Sequence, residues 1–333
     1  MIPLLKHFDG KKILITGGGG CIGHNLVETL LSGEPGEITV LDDLSSSYEW
    51  NIPKDVRNSF IKGSILDDKA LDKAFSLHPD YVFHLAAHFA NQNSIEHPET
   101  DLLVNGLGTL KLLEHSRIAK TEKFVFASSG CSVYGSEAPL PLTEDYVSIH
   151  LDTPYQITKL LGELYCNFYH DFYRLPVVIA RFFNVYGPGE IPGKYRNVIP
   201  NFIYHALKHE PLPITGTGEE TRDWTYVSDI VDGTLRCAVD ENAVGQAFNL
   251  ASGIETKVSH VAEIINELTR NDAGTVTRSR RAWDKIVRRR ASIEKASRML
   301  GYNPRTKLQE GIDKTVKWMV SNIERIDRSA EVV

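Results

Sequence analysis

Short apolar runs bounded by glycine and polar residues recur through the first half of the chain, and stretches with apolar residues three and four apart separate them. Lys12-Ile13-Leu14-Ile15-Thr16 reads as a buried strand and Ile38-Thr39-Val40-Leu41 as a second, with further strands at 59–62, 80–85, 123–128 and 176–182. The intervening pattern predicts helices at 24–32, 67–77, 101–118 and 153–173. Alternation of this kind with short connections predicts an α/β protein built on a doubly wound parallel sheet. Beyond Gly187 the texture changes, because Pro188, Gly189, Pro192 and Gly193 make a loop. Residues 1–183 are therefore expected to form a sheet domain that also receives chain from about 224–250, and residues 184–330 mainly a smaller C-terminal substrate-binding lobe.

The first strand runs into Gly17-Gly18-Gly19-Gly20-Cys21-Ile22-Gly23 and then into an amphipathic run. A glycine-rich turn between strand and helix lets backbone approach a pyrophosphate, whose charge meets free N–H groups and the positive helix end. The glycines at 17, 20 and 23 fit that role. The second strand ends at Asp42 and Asp43, about twenty residues beyond the turn, where a carboxylate can take the ribose 2′-hydroxyl of a dinucleotide in the Rossmann manner. Ser45, Ser46, Ser47 and Tyr48 follow without Arg or Lys. A carboxylate there repels a 2′-phosphate, so the cofactor is read as NAD rather than NADP.

Tyr155-Gln156-Ile157-Thr158-Lys159 places a phenol and an ammonium on one helix face. A cation beside a phenol favours the phenolate and lowers its pKa, which would make Tyr155 a base near neutral pH with Lys159 tuning it.

Composition changes this picture little. The chain of 333 residues is 42% hydrophobic and carries a net charge of −6, a balance that argues against a general nucleic-acid binder. No apolar run approaches the ~20 residues needed to span a membrane. Cys21, Cys131, Cys166 and Cys237 form no C-x-x-C pair and the start of the chain lacks a secretory h-region, so a reduced, cytoplasmic protein is expected. The local exception is a basic segment, Arg278, Arg280, Arg281, Lys285, Arg288, Arg289 and Arg290, which most simply forms a solvated face.

Seven motifs in register carry a resemblance: Thr16-Gly17-x-x-Gly20-x-x-Gly23, His84-Leu85-Ala86-Ala87, Asn105-x-x-Gly108-Thr109, Ser128-Ser129 before Val133-Tyr134-Gly135, Pro154-Tyr155-x-x-x-Lys159, Arg181-Phe182-Phe183-Asn184-Val185-Tyr186-Gly187-Pro188, and Arg222-Asp223-Trp224-x-Tyr226-Val227-x-Asp229. From about residue 11 to 320 the chain resembles the extended short-chain dehydrogenase/reductases, in the branch of NAD-dependent nucleotide-sugar epimerases and dehydratases. The resemblance implies cofactor contacts at Gly17, Gly20, Cys21, Ile22, Gly23, Asp42, Asp43, Ser64, Ile65, Leu85, Ala86, Ala87, Asn105, Ser128, Tyr155, Lys159 and Phe182; Ser64 stands where the family usually has an Asp. It implies a nucleotide-diphosphate sugar held by Asn184, Asn197, Val198, Thr215, Arg222, Arg281 and Asp284, with no metal. The helices near 101–118 and 155–173 are apolar around much of their circumference, and relatives often dimerise through such a pair, so a homodimer is expected.

The reaction turns on the loop before Tyr134. The family places a Ser or Thr at the position of Gly130, and Ser132 or Ser129 is the expected substitute. A 4,6-dehydratase of this branch carries Asp-Glu where Cys131-Ser132 stand, and a decarboxylase carries Glu at 132. Simple 4-epimerisation requires no further acid and base beyond Tyr155. The chain is accordingly read as a nucleotide-sugar 4-epimerase, with a dehydratase, a decarboxylase, a 4-keto-sugar reductase or dehydrogenase, and an inactive NAD-binding regulatory protein as the alternatives.

Overall fold

The computed structural model describes residues 2–329. Seven strands form a parallel sheet: β1 (Lys12–Thr16), β2 (Glu37–Asp42), β3 (Asn58–Lys62), β4 (Tyr81–His84), β5 (Lys123–Ser129), β6 (Val177–Phe182) and β7 (Ala247–Leu250). Their order across the sheet is β7-β6-β5-β4-β1-β2-β3. The chain winds outward from β1 through β2 to β3, then restarts on the other side of β1 with β4. Thr16 is in register with Leu41 on β2 and with His84 on β4, so the carboxyl ends of the three strands open side by side into the crevice where the winding reverses. In open α/β sheets ligands bind at that switch point.

Strand side chains alternate between two covered faces. Ile13, Ile15, Tyr81, Phe83, Val125 and Ala127 belong to one apolar cluster, whereas Leu14, Val82, Phe124 and Phe126 belong to the other. Helices α1 (Cys21–Leu31) and α6 (Val227–Val239) cover the first face with Leu26, Val27, Leu30, Ile230 and Leu235. Helices α2 (Asp68–Phe75), α3 (Thr109–Ala119) and α4 (Pro154–Tyr173) cover the second with Leu71, Leu112, Leu113 and Cys166. The first cluster continues without a break into α5 (Val198–Leu207), α7 (Val258–Thr269) and α8 (Leu308–Ser329), so the later elements pack on the same core as the sheet.

Two predicted helices differ in detail. The first begins at Cys21, because the glycine turn closes at Gly20 and the helix propagates at once from its carbonyl, which accepts from the His24 N–H at 2.8 Å. The helix expected over 101–118 contains a π-helical segment, Leu102–Gly108, ahead of α3. Gly106 and Gly108 favour helix weakly, and the Asn105 amide is engaged with His88, Asp101 and Thr158. The remaining chain beyond β6 makes short pairs: Leu212–Thr215 with Thr275–Arg278, and Thr221–Asp223 with Glu255–Lys257.

Candidate active site

The cleft at the switch point has a volume of about 1750 Å³. Its floor is the glycine turn. Gly17 has φ +74°, and a Cβ there would lie 2.6 Å from the Ala86 nitrogen, so neither the conformation nor the space admits a side chain. A Cβ on Gly23 would strike the Gly17 carbonyl at 2.3 Å, which explains how closely α1 sits on the turn. Gly20 is different. A Cβ there would meet only the Gly17 oxygen at an ordinary 3.5 Å, and the position borders the cleft. A bare backbone facing open space at a helix start suits a pyrophosphate.

Asp42 closes the adjacent wall. Its buried carboxylate accepts from Gly19 N–H at 2.9 Å, Leu44 N–H at 2.8 Å and Ser47 Oγ at 2.9 Å. About four acceptor positions exist on a carboxylate, so capacity for one ribose hydroxyl remains. Cys21, Ile22, Asp43, Ile65, Leu85, Ala86, Ala87 and Phe182 line the same cleft. Ser64 and Asn105 do not, contrary to expectation. Ser64 accepts from Leu66 N–H at 3.2 Å in the turn before α2. Asn105 stands one layer back, joined to the fully buried Asp101, which also accepts from Thr158 Oγ1 on α4 at 2.7 Å.

Thr153 caps α4 by accepting from the Gln156 N–H at 3.3 Å, and Pro154 supplies the first helical residue. Gly162 then brings α4 against β5, since a Cβ there would fall 2.4 Å from Phe126 Cζ. That approach carries Lys159 to the strand end. Its Nζ donates to the Ala127 carbonyl at 2.9 Å and lies 5.7 Å from the centre of the Tyr155 ring. Both residues are buried and both line the cleft. Burial pulls the Lys159 ammonium down to about 8, against the opposing pull of Asp101. The Tyr155 phenol departs from expectation: burial first, then Asp101 and Cys131, push its pKa above the ordinary value rather than below it. Loss of water dominates at the phenol, and the Lys159 ammonium directs its hydrogen bond to the Ala127 carbonyl and not to the phenol oxygen.

The loop after β5 shows why position 130 is glycine. A Cβ there would lie 1.9 Å from Phe183 Cε2, so the Phe183 ring occupies the room a Ser or Thr would need. Ser132 Oγ donates to Ser129 Oγ at 2.9 Å, and both line the cleft with Tyr155. Ser128 also borders the cleft, but its hydroxyl donates to Glu163, which is paired at 2.8 Å with the buried Arg181. The Cys131 thiol donates to Asn184 Oδ1 at 3.3 Å. His84 serves the framework: its ring nitrogens contact Thr16 Oγ1 and Thr109 Oγ1, both at 2.9 Å, and burial pushes its pKa down to about 3.

At the far end the cleft is lined by Asn184, Asn197, Val198, Thr215, Arg222, Arg281 and Asp284. Arg222 reaches Asp284 at 3.3 Å and the Thr221 carbonyl at 2.8 Å, while Arg281 is exposed, 6.0 Å from the centre of the Trp283 ring. The basic segment divides. Lys285 and Arg288 pair with Asp152 and Glu255, as a solvated face would. Arg289 instead is buried, donates to the carbonyls of Gly135 and Cys131 at 2.9 and 3.0 Å, and has no ion-pair partner among the described residues. Sequence reasoning missed Arg289, and nothing in the spacing of the run separates it from Arg288 and Arg290. Glu190 was missed as well; it is a buried carboxyl on the cleft wall. Among the described residues no group of three or more His, Cys, Asp or Glu is placed to hold a metal ion.

The sheet order, the glycine turn and the Tyr155–Lys159 pair at one cleft define a Rossmann-type, NAD-binding protein of the short-chain dehydrogenase/reductase class. The chain belongs to the NAD dependent epimerase/dehydratase family, whose sequence profile matches residues 13–251. It is similar to the UDP-glucose 4-epimerase of Mycolicibacterium smegmatis, 34% identical over 92% of this chain and 98% of that one. Relatives at the same identity include a UDP-N-acetyl-alpha-D-glucosaminuronate decarboxylase. Among solved structures, epimerase Mth375 of Methanothermobacter thermautotrophicus superposes with a TM-score of 0.97 at 55% identity, covering 99% of this chain and 98% of that one. The enzyme WbmF of Bordetella bronchiseptica, bound to NAD+, superposes with a TM-score of 0.84 at 37% identity over 97% and 96% of the two chains. NAD is the cofactor of the family, and the turn and Asp42 fit it.

Proposed function

We propose that this protein is an NAD-dependent 4-epimerase of nucleotide-diphosphate sugars, with a uridine nucleotide as the first to test. The observation that carries the reading is the make-up of the loop facing Tyr155: hydroxyls at Ser129 and Ser132 and a thiol at Cys131, with no carboxylate at the two positions where dehydration needs an acid and a base. NAD, when bound, supplies reversible hydride acceptance at sugar C4. Tyr155, as the phenolate, removes the C4 hydroxyl proton and returns it after the sugar presents its other face; the charges of Lys159 and of bound NAD+ would oppose the burial that raises the phenol's pKa. Lys159 holds positive charge beside the phenol, and its position near neutrality keeps that charge responsive to the ligand. Ser132, through Ser129, stands in for the hydroxyl that Phe183 excludes at 130. Arg222 and Arg281 take the diphosphate, with Asn184 and Asn197 at the sugar and Thr215 and Asp284 at the nucleoside.

The test is incubation of purified protein with UDP-, GDP- and dTDP-sugars without added cofactor, followed by NMR of the products. A C4 epimer supports the reading, and a released keto sugar with stoichiometric NADH or a 4-keto-6-deoxy sugar defeats it. One observation favours a second reading. The buried, unneutralised Arg289 suits an acidic sugar, and a uronate in the panel that yields a pentose and carbon dioxide would establish decarboxylation instead.

A homodimer belongs to the same proposal. Ile157, Leu164, Phe168 and Phe172 form an exposed stripe on α4, and Leu102, Leu103 and Leu107 add exposed apolar surface on the preceding helical segment. Leu164→Glu combined with Phe172→Glu should give a monomer in analytical ultracentrifugation, and an unchanged sedimentation coefficient would remove this interface. Four free cysteines and the absence, among the described residues, of a helix long and apolar enough to cross a membrane fit the cytoplasmic setting proposed for it.

A further inference from the structure

The segment after Tyr186 lies directly on the glycine turn. The Pro188 carbonyl accepts from Cys21 Sγ at 3.4 Å and from Asn25 Nδ2 at 2.8 Å, both on α1. The Gly189 carbonyl accepts from Asn51 Nδ2 at 3.0 Å, and the same amide donates to the Gly19 carbonyl at 2.7 Å. These bonds fix the next residue, Glu190, on the cleft wall beside the start of α1. Its side chain is 5% exposed. Oε1 accepts from Asn197 Nδ2 at 2.9 Å, whereas Oε2 is buried and has no partner.

A buried carboxyl oxygen without a partner is costly, and the cost is relieved when a ligand supplies the missing bond. An ionised carboxylate would meet the pyrophosphate with like charge. A neutral acid would not, because its O–H donates. We propose that Glu190 is a cofactor-binding residue that acts as a carboxylic acid, its Oε2–H donating a hydrogen bond to the pyrophosphate of NAD over the glycine turn. The Asn197 bond to Oε1 leaves Oε2 as the protonated oxygen. Burial raises the Glu190 carboxyl to about 7, with Arg196 and Asn197 opposing. The groups facing it are few. Arg196 acts from a distance, Cys21 is held as a thiol by burial, and His24, which packs against Gly189, is paired outward with Glu28 at 3.6 Å.

The experiment is calorimetric titration of NAD, and separately of ADP-ribose, into nucleotide-free full-length protein at about pH 6 and about pH 8.5. If only the protonated form binds well, affinity for both ligands should fall roughly tenfold or more across that interval. Glu190→Gln, whose amide also donates, should bind with little pH dependence and near the acid-side affinity of the parent. His24→Gln should keep the parent's slope. Thermal melting gives a ligand-independent reading: an acid raised from 4.5 to about 7 by folding loses stability as pH rises through that window, so Glu190→Gln should melt above the parent at about pH 8.5 and not at about pH 4. A parent protein with pH-independent NAD affinity, a Gln variant that keeps the parent's slope, loss of the slope in His24→Gln, or a slope present with NAD and absent with ADP-ribose would each overturn the assignment.

Discussion

At the cofactor end of the cleft the walls are backbone and short side chains: the turn from Gly17 to Gly23, the end of β2 at Asp42, the chain just after β4 at Ala86, and the carbonyl of Ala127 that anchors Lys159. At the opposite end they are long cations: Arg222, and about sixty residues further on Arg281 and Arg289 of one basic segment, resting on Asp284, the Trp283 ring and two loop carbonyls. The first end is rigid because it is an edge of the sheet, in register through β1, β2 and β4. The second is set by side-chain partners that a ligand can exchange. A family of enzymes can therefore keep one cofactor while varying what it acts on, since changes at the second end leave the sheet edge untouched.

The largest expected effect tests the chemistry of the first end. Tyr155→Phe should lower turnover by roughly 10²- to 10⁴-fold, the range for lost acid–base assistance, while NAD binding and the melting temperature stay near the parent values. Normal turnover in this variant would end the mechanism. Next comes the second end. Arg222→Ala should raise KM for a nucleotide sugar by an amount equivalent to about 2–4 kcal/mol with NAD affinity unchanged, and a matched loss of NAD affinity would show that the two ends are not independent. Between the ends sits Gly130. Gly130→Ser, which restores the residue type usual in the family, should cost about 1–3 kcal/mol of stability in denaturant unfolding because Phe183 fills its space. A stable and faster enzyme would mean that Phe183 turns aside easily. The smallest effect belongs to Asp42→Ala. It should reduce the preference for NAD over NADP by about tenfold in competition binding, since one repulsive carboxylate is worth about that much.

Much of the first end was legible in the sequence because it depends on local rules. A strand, a glycine turn and a helix follow one another within a few residues of chain, and Gly17 and Gly23 answer to backbone constraints that the turn itself imposes. The Tyr155–Lys159 pair was legible for the same reason, helical periodicity. Its ionisation was not, because the phenol's pKa depends on burial and on Asp101, which lies on a different helix. Asn105 matched a motif yet proved to brace Asp101 and Thr158, since a motif records that a residue is needed and not which side of a wall it faces.

The sequence by itself determined the sheet, its doubly wound order and the dinucleotide-binding edge, because hydrophobic period and turn chemistry act over short stretches of chain. Tertiary structure alone decided that Phe183 excludes a side chain at 130, that Arg289 is buried while Arg288 pairs with Glu255, and that Glu190 stands on the cleft wall with an unpartnered oxygen. Each of these is a meeting of residues distant in sequence. Its energy comes from desolvation and close packing, quantities that exist only once the chain has folded.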